Sequence, residues 1–304
     1  MSTDQLCIES FCGYGQSGAG KTHQVQEFAV MVHNRTGKRT LLISCTGGGW
    51  TTITSAVGLG IVEPLNLRPR RNPYETLYKL TLGGWPADVE DPTSPLVSPA
   101  KQTSWADVGG IVLDDLTTTA RWVMSRTLER EAQPPEPGKE AWRVSAQEAA
   151  AKFEDGDLWF SGGGAKAHYG TIQQQMEAFV AQLCSITGRY IMCTALETKG
   201  KDPSKGYSIY TPDLIGDAVN GYIPSWFKNT VHLQVIGGEH HMFLKAHADQ
   251  GSDIPYMAKT RASAGFEMPL VLKGAEASVE NLMNLLEKSH EVGLNSLKER
   301  LVRR

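Results

Sequence analysis

The sequence predicts an α/β fold: a mostly parallel sheet with helices on both faces, late antiparallel strands and a C-terminal helix. Short apolar runs that fit buried strands alternate along the chain with segments whose apolar residues recur at helical spacing. This alternation is typical of a parallel sheet covered on both faces. The run from Gly15 to Thr22 fits the pattern G-x-x-x-x-G-K-[ST], which requires a strand before it and a helix after it.

The first half of the chain supplies three candidate strands and three candidate helices. The strands are expected at 6–11, 40–45 and 109–115, and the helices at 22–33, 74–82 and 117–131. Four prolines between 83 and 104 indicate a surface loop. A second proline-rich run at 132–140 opens a polar stretch, which we interpret as an insertion spanning about 132–166.

The second half continues the alternation and then becomes rich in strands. Strands are expected at 189–195, 230–236, 241–246 and 254–258, with turns at 237–238 and 249–251, and helices at 169–187 and 279–302. The last of these is one helix or a helix pair, and 198–212 reads as a polar loop. The predicted organisation is a main domain over 1–270 and a C-terminal helical tail over 271–304.

Composition limits the class of protein and its partners. Apolar residues make up 40% of the chain and charged residues 21%, which is typical of a globular protein. The net charge of −3 provides no global basic field, so any nucleic-acid contact must be a local patch. The five cysteines form no C-x-x-C pair, which favours free thiols in a reducing cytoplasm. No run of 18 apolar residues is present, which argues against a membrane-spanning protein.

The glycine-rich run has the residues that a nucleotide phosphate site needs. Its glycines let successive backbone N–H groups turn inward without a Cβ in the way. Lys21 can supply a cation to the β- and γ-phosphates, and the Thr22 hydroxyl can coordinate Mg²⁺. The expected ATP-binding residues are Gly15, Gln16, Ser17, Gly18, Ala19, Gly20, Lys21, Thr22 and His23. A plain glycine turn is the alternative, and it leaves Lys21 and Thr22 unexplained.

Two aspartates follow the strand expected at 109–115. A carboxylate at the carboxyl end of a buried strand is the usual anchor for the metal ion of such a site. We therefore expect Asp114 to bind Mg²⁺ together with Thr22. Asp115 is the candidate that orients or deprotonates the attacking water, and its alternative role is that of a helix N-cap.

With these motifs in place, the chain resembles the RecA-like P-loop ATPases. Three segments carry the resemblance: 11–22, 111–117 and 169–197. The second contains Asp114-Asp115-Leu116, and the third ends in the run 190–197. The late run Lys259-Thr260-Arg261 also matches. The resemblance covers roughly residues 5–265. The chain looks closest to the phage-encoded RecA-like ATPases associated with single-strand annealing and recombination.

The resemblance implies a RecA-type core with one strand inserted between the phosphate-loop strand and the Asp114 strand. It implies that Thr194 and Glu197 lie near the γ-phosphate as a polar sensor at a strand end; ordinary polarity at the entry to a loop is the alternative. It also implies that Lys259 and Arg261 act in trans on a neighbour's nucleotide, and so that the protein forms a homo-oligomer. A solvated pair on a strand edge is the alternative for these two cations.

One departure from the RecA pattern concerns the catalytic acid. RecA has a glutamate at the end of the strand that follows the phosphate-loop helix. Here that strand ends in Ser44 and Cys45, and the first acid beyond it is Glu63. Either Asp115 serves instead or turnover is slow.

Three weaker patterns remain. The cations and aromatic group of Lys199, Lys201, Lys205 and Tyr207 suit single-stranded nucleic acid, although a solvated loop explains them as well. The histidines at 240, 241 and 247 do not have the spacing of a metal site. The leucine stripe of 282–301 favours packing within the chain over a partner site.

The combined expectation is an ATP- and Mg²⁺-dependent RecA-like ATPase in a bacterial cytoplasm. It would act on single-stranded DNA in phage recombination or replication. Its catalytic residues would be Lys21, Asp115, Glu197, Lys259 and Arg261. One alternative is a nucleotide-gated assembly or switch protein with protein partners and no DNA. Another is a phosphotransferase, in which the Asp114 strand should lie directly beside the phosphate-loop strand.

Overall fold

The fold is given by a computed structural model. It describes residues 9–45, 53–67, 73–82, 96–97, 105–131, 166–202, 206–214, 220, 222 and 225–302. In these ranges no helix combines the length and the apolar character needed to cross a membrane. The predicted strand residues 6–8, most of the loop at 83–104 and residues 132–165 of the predicted insertion lie outside the described residues.

The described residues form thirteen strands and six α-helices. The strands are β1 (Ser10–Tyr14), β2 (Arg39–Ser44), β3 (Val62–Leu67), β4 (Leu96–Val97), β5 (Val108–Asp114), β6 (Tyr190–Ala195), β7 (Glu197–Lys201), β8 (Ser208–Pro212), β9 (Asn229–Ile236), β10 (Glu239–Phe243), β11 (Lys245–His247), β12 (Tyr256–Lys259) and β13 (Val271–Lys273). The helices are α1 (Lys21–Thr36), α2 (Thr54–Gly58), α3 (Tyr74–Thr81), α4 (Leu116–Glu131), α5 (Lys166–Cys184) and α6 (Val279–Val302).

The strands join into one mixed sheet with a parallel centre. The order along its main path is β4-β3-β2-β5-β6-β1-β9-β12-β8-β7, and the pairs from β3 to β9 are parallel. The late strands are mostly antiparallel, as the β9–β10, β10–β13, β9–β12 and β7–β8 pairs show. The predicted α/β fold class is confirmed.

The position of β6 distinguishes between the candidate classes. It lies between β1, which precedes the phosphate loop, and β5, which ends in Asp114. This is the inserted strand that the resemblance to RecA-like ATPases implies. It contradicts the arrangement that the phosphotransferase alternative requires, in which β1 and β5 would be neighbours.

Helices cover both faces because the strand residues alternate between two apolar cores. In β1, Cys12 and Tyr14 belong to the core under α3, α4 and α5, whereas Phe11 belongs to the core under α1 and α6. Phe28 of α1 and Leu282 of α6 are fully buried in the second core. The glycine-rich loop of residues 15–20 is therefore fixed at both ends, by a buried strand and by a buried helix.

The C-terminal segment is a single helix rather than a helix pair. Leu282 and Leu286 are buried against the α1 side of the sheet, which is the intramolecular packing that the leucine stripe predicted. The stripe is then interrupted, since Leu294, Leu297 and Leu301 are exposed. Residues 271–273 of the predicted tail form β13 and pair with β10, so the tail contributes a strand to the sheet.

One local prediction was wrong. The segment expected as a polar loop at 198–212 contains the antiparallel strands β7 and β8. The spacing of apolar residues could not indicate these two strands because they contain few apolar residues. Gly200 and Ile209, for example, are buried among polar neighbours. The pair is held in place by β12, which pairs with β8 and continues the sheet.

Candidate nucleotide site

The candidate site lies at the carboxyl edge of the parallel strands. β1 ends at Tyr14 and leads directly into the loop of residues 15–20, after which α1 begins at Lys21. β5 ends at Asp114 and β6 at Ala195, on the same edge. Ligands of open α/β sheets bind at this edge because loops from several strands converge there.

Glycines shape the loop at positions that other residues cannot occupy without strain. Gly20 has a left-handed backbone with φ of 87°. Gly15 passes so close to β9 that an added Cβ would be 2.3 Å from the carbonyl oxygen of Leu233. The N-terminus of α1 has no side-chain cap, so its first N–H groups and its positive dipole end are free for an anion.

Lys21 points back into the loop. Its Nζ donates hydrogen bonds to the carbonyl oxygens of Gly15, at 2.9 Å, and of Gln16, at 2.7 Å. An ammonium has three N–H donors, so one remains for a phosphate oxygen. Burial lowers the pKa of Lys21, while three acidic groups oppose this shift: Asp114, Asp115 and Glu197. The cation and the three carboxylates are therefore close enough to interact.

Asp114 is well suited to a metal ion. It is 9% exposed, and its Oδ1 accepts a hydrogen bond from the Thr194 hydroxyl. Burial raises the pKa of Asp114, the Thr194 hydrogen bond lowers it, Asp115 raises it and Lys21 lowers it. In the part of the chain that the structure describes, Oδ2 accepts no hydrogen bond. A buried carboxylate with a free oxygen and the half-buried Thr22 hydroxyl are both the kind of oxygen ligand that Mg²⁺ prefers.

Asp115 has the alternative role that the sequence left open. Its Oδ1 accepts a 2.6 Å hydrogen bond from the backbone N–H of Thr118, and Asp115 is thus an N-cap of α4. Its backbone oxygen accepts a hydrogen bond from the Thr119 hydroxyl. Asp115 remains close to Lys21, but one of its two carboxylate oxygens is occupied by the helix.

Glu197 lies across from the first half of the loop. Its Oε1 accepts a hydrogen bond from Gln16 Nε2 at 3.4 Å, and its Oε2 is 2.9 Å from His232 Nε2. A cavity of about 170 Å³ adjoins this pair. It is lined by loop residues 16–19 and by Glu197, His232, Leu233, Gln234, Val235 and Tyr256.

His232 is the main site residue that sequence reasoning missed. It pairs in register with Tyr14, the last strand residue before the loop. The available signal was a histidine in the first half of the strand expected at 230–236. Without the β1–β9 pairing, nothing placed this histidine beside the loop.

Lys259 and Arg261 lie away from the loop of their own chain. Thr230 of β9 pairs with Cys12 on one side and with Lys259 on the other. Since Cys12 precedes the loop by three residues, Lys259 is about 10 Å below it along the strands. Both cationic residues are exposed, and within the described ranges neither forms an ion pair.

The candidate nucleic-acid residues lie on the β7–β8 pair. Lys199 and Lys201 are exposed on one face of β7, separated by the buried Gly200, and Tyr207 is 43% exposed. Lys205 lies outside the described residues. β7 also contains Glu197, so one short strand joins these cations to the phosphate loop.

The other histidines of the late strands do not form a metal cluster with acids or cysteines among the described residues. His240 instead packs against the loop, since an added Cβ on Gly20 would be 2.7 Å from its ring. It stacks on His23, with ring centroids 5.5 Å apart.

Comparison with known proteins gives a likeness to solved structures and none to a family model. No family model matches the sequence, and no curated protein matches it. Among solved structures, the chain is similar to the crystal structure of the RadB recombinase. The identity is 10%, the TM-score is 0.41, and the match covers 81% of this chain and 84% of that chain. At this level the likeness carries no argument about function, which depends on the residues of the site.

Proposed function

We propose that the protein binds and hydrolyses ATP and acts on single-stranded DNA in recombination or replication, in keeping with the phage-type RecA-like ATPases that its motifs resemble. The observation that carries the proposal is the convergence of Lys21, Asp114 and Glu197 at the loop. These groups come from three different elements, α1, β5 and β7, and meet at the carboxyl edge of a sheet with the inserted β6 strand.

In this proposal the loop of residues 15–23 holds the phosphates. Backbone N–H groups and Lys21 contact the β- and γ-phosphates. Thr22 and Asp114 hold Mg²⁺, which when bound neutralises charge on the phosphate oxygens. The Thr194 hydrogen bond fixes the plane of the Asp114 carboxylate and leaves its Oδ2 directed away from Thr194.

Hydrolysis requires a positioned water molecule. The water oxygen bonds to the γ-phosphorus while the bond from that phosphorus to the bridging oxygen breaks, and ADP leaves with the electron pair. The water gives up a proton, which a carboxylate near the loop accepts. Asp115 and Glu197 are the two candidates, because both lie near Lys21.

Two further features complete the proposal. Lys259 and Arg261, both exposed, act on the nucleotide of a neighbouring subunit, and Lys259 lies about 10 Å below the loop of its own chain along the strands. Lys199, Lys201 and Tyr207 contact single-stranded DNA through phosphates and base stacking, with Lys205 between them in the sequence.

The test is ATP turnover measured with and without single-stranded oligonucleotide. Wild-type protein and the Lys288→Ala control, which changes an exposed lysine of α6, should hydrolyse ATP faster with DNA. The Lys21→Ala variant should lose turnover in both conditions. Turnover without any DNA binding at low salt would favour the nucleotide-gated switch instead. Equal turnover in Lys21→Ala and Lys288→Ala would refute the proposed site.

A further inference from the structure

Glu197 and His232 form a buried pair beside the phosphate loop. Their side chains are 5% and 1% exposed, and Glu197 Oε2 is 2.9 Å from His232 Nε2. A ring nitrogen that faces a carboxylate at this distance carries a proton and donates it. His232 therefore fixes one oxygen of Glu197 and, with it, the plane of the carboxyl group.

His232 is itself held on every side. Its Nδ1 is 3.2 Å from His247 Nε2, so both ring nitrogens have partners. Its ring stacks on Tyr256, with centroids 4.2 Å apart and planes 15° apart, and it also contacts the Tyr14 ring. Such a ring cannot rotate without breaking a hydrogen bond on each side, which makes it a rigid support.

The other oxygen of Glu197 faces the loop. Oε1 accepts the hydrogen bond from Gln16, and Gln16 and Glu197 both line the cavity of about 170 Å³. A cavity of this size can hold several water molecules. Gln234, which lines the cavity, has a buried Oε1 with no hydrogen-bond partner among the described residues, and a water molecule could donate to it.

The other acids near the loop are less well placed. Asp114 is the proposed metal ligand, and one oxygen of Asp115 caps α4. Ser44 occupies the strand end where RecA-type ATPases have a glutamate. Glu63 lies three residues before the end of the β2–β3 ladder, and its Oε2 is 3.8 Å from Arg39 Nη1, with which it forms an ion pair. Among these acids, Glu197 combines a rigid support with an oxygen that accepts a hydrogen bond from the loop, and it lines the cavity beside that loop.

We propose that Glu197 orients and deprotonates the attacking water and that His232 is the positioning residue that holds it. This inference rests on the proposed ATP hydrolysis. As the water oxygen bonds to the γ-phosphorus, its proton passes to Glu197 Oε1, and the electron pair of the broken bond leaves with ADP. The proton then passes to the released phosphate, which restores the carboxylate.

The test separates the hydrogen bond of His232 from its ring stacking. His232→Phe keeps a ring in the stack and removes the donor, whereas His232→Gln keeps an N–H near the position of Nε2 and removes the ring. The matched control is His290→Phe, which changes an exposed histidine of α6. Each variant is checked for folding by thermal unfolding, and kcat and KM for ATP are measured with and without single-stranded DNA.

Glu197→Gln should lower kcat about 10²- to 10⁴-fold, the usual contribution of a general base. His232→Phe should lower kcat roughly tenfold to a hundredfold, because a misplaced carboxylate loses near-attack geometry. KM should change little in both. His232→Gln should retain more of kcat than His232→Phe, and adding His232→Phe to Glu197→Gln should cause no further loss.

Several outcomes would overturn the inference without affecting the proposed function. One is a His232→Phe variant that keeps the wild-type kcat, while Lys21→Ala still abolishes turnover. A second is a double variant, Glu197→Gln with His232→Phe, whose loss of kcat is the product of the two single losses. A third is a His232→Gln variant whose kcat is no higher than that of His232→Phe. Wild-type protein without ATP turnover would instead refute the proposed function, and the inference with it.

Discussion

At the residue scale, the site combines groups that are costly to bury. Lys21, Asp114, Glu197 and His232 are charged or polar, yet most of their atoms are removed from water. Buried polar groups of this kind are tolerated when they are paired, and here each has at least one hydrogen-bond partner. Burial strengthens the interactions among them because the local dielectric is low.

His247 gives a prediction about stability and pH. Burial, and next the neighbouring His232, lower the pKa of His247 to about 4, against weaker opposing effects of the Lys245 carbonyl, Asp249 and Glu197. In the unfolded chain a histidine titrates near about 6.5. Between these two values the unfolded chain binds the proton more readily, so the contribution of His247 to the free energy of unfolding is lost as the pH falls through this window.

The prediction is tested by comparing wild-type protein with His247→Gln. Denaturant unfolding at about pH 7.5 and about pH 4.5 gives the difference in unfolding free energy at each pH. On acidification wild type should lose more stability than the variant, because only wild type has the His247 imidazole, whose pKa is lower in the folded than in the unfolded chain. An equal loss in both proteins would contradict the assigned pKa shift.

Some residues of the site were predictable from sequence and some were not. The loop and Asp114 were predictable because their roles depend on local chemistry: glycines at a turn, a lysine beside them and a carboxylate at a strand end. The structure brings them together as expected, although their roles remain proposals. His232 was not predictable, because its role depends on the pairing of β9 with β1 across more than 200 residues of chain.

At the element scale, the β7–β8 pair joins the phosphate loop to an exposed surface. Glu197 begins β7, and Lys199 and Lys201 follow on the exposed face of the same strand. Tyr210 of β8 stacks on Tyr256, which in turn stacks on His232. A shift of β7 on DNA binding would therefore move the carboxylate that faces the loop.

The DNA-binding role of this pair is tested with Lys199→Gln/Lys201→Gln. If both lysines contact phosphates, the variant should bind single-stranded DNA more weakly. The slope of log K against log salt should fall by about 1.4, which is two contacts at about 0.7 each for single strands. The matched control, Lys273→Gln/Lys288→Gln, removes two exposed lysines elsewhere on the chain and should leave affinity and slope unchanged. Equal effects of the two double variants would remove β7 as the DNA-binding element.

Long periodic elements were predicted well, whereas short polar strands were not. The helices α1, α3, α4 and α5 and the strands β2, β5, β6 and β9 match the expected segments to within a few residues at each end. Their apolar periodicity is strong because each is buried against a core. β7 and β8 lack that signal because most of their residues are polar; β7 pairs with β8, and β8 pairs with β12.

At the scale of the whole molecule, the sheet order and the exposed cations make a prediction about assembly. A strand inserted between β1 and β5 is the arrangement that the resemblance implied, and it was predictable only through that resemblance. Lys259 lies about 10 Å from its own loop along the strands, and we propose that it and Arg261 act on the nucleotide of another subunit.

A mixing experiment tests this role. Lys21→Ala and Arg261→Ala proteins should each be inactive in ATP hydrolysis. Mixed in equal amounts and allowed to exchange subunits, they should recover activity at roughly a quarter of the sites, those that pair an intact loop with an intact neighbouring arginine. Two Lys21→Ala preparations mixed in the same way serve as the control. No recovery in a mixture that forms mixed oligomers would exclude Arg261 as a residue acting in trans.

The central claim is that the loop of residues 15–22, together with Asp114, forms a nucleotide–magnesium site. Its most direct test is calorimetric titration with a non-hydrolysable ATP analogue, with and without Mg²⁺. Wild-type protein should bind about one analogue per chain and bind it more tightly with Mg²⁺. Lys21→Ala should not bind, and Asp114→Asn should bind without any gain from Mg²⁺. Wild-type affinity in Lys21→Ala, or an undiminished effect of Mg²⁺ in Asp114→Asn, would contradict the account.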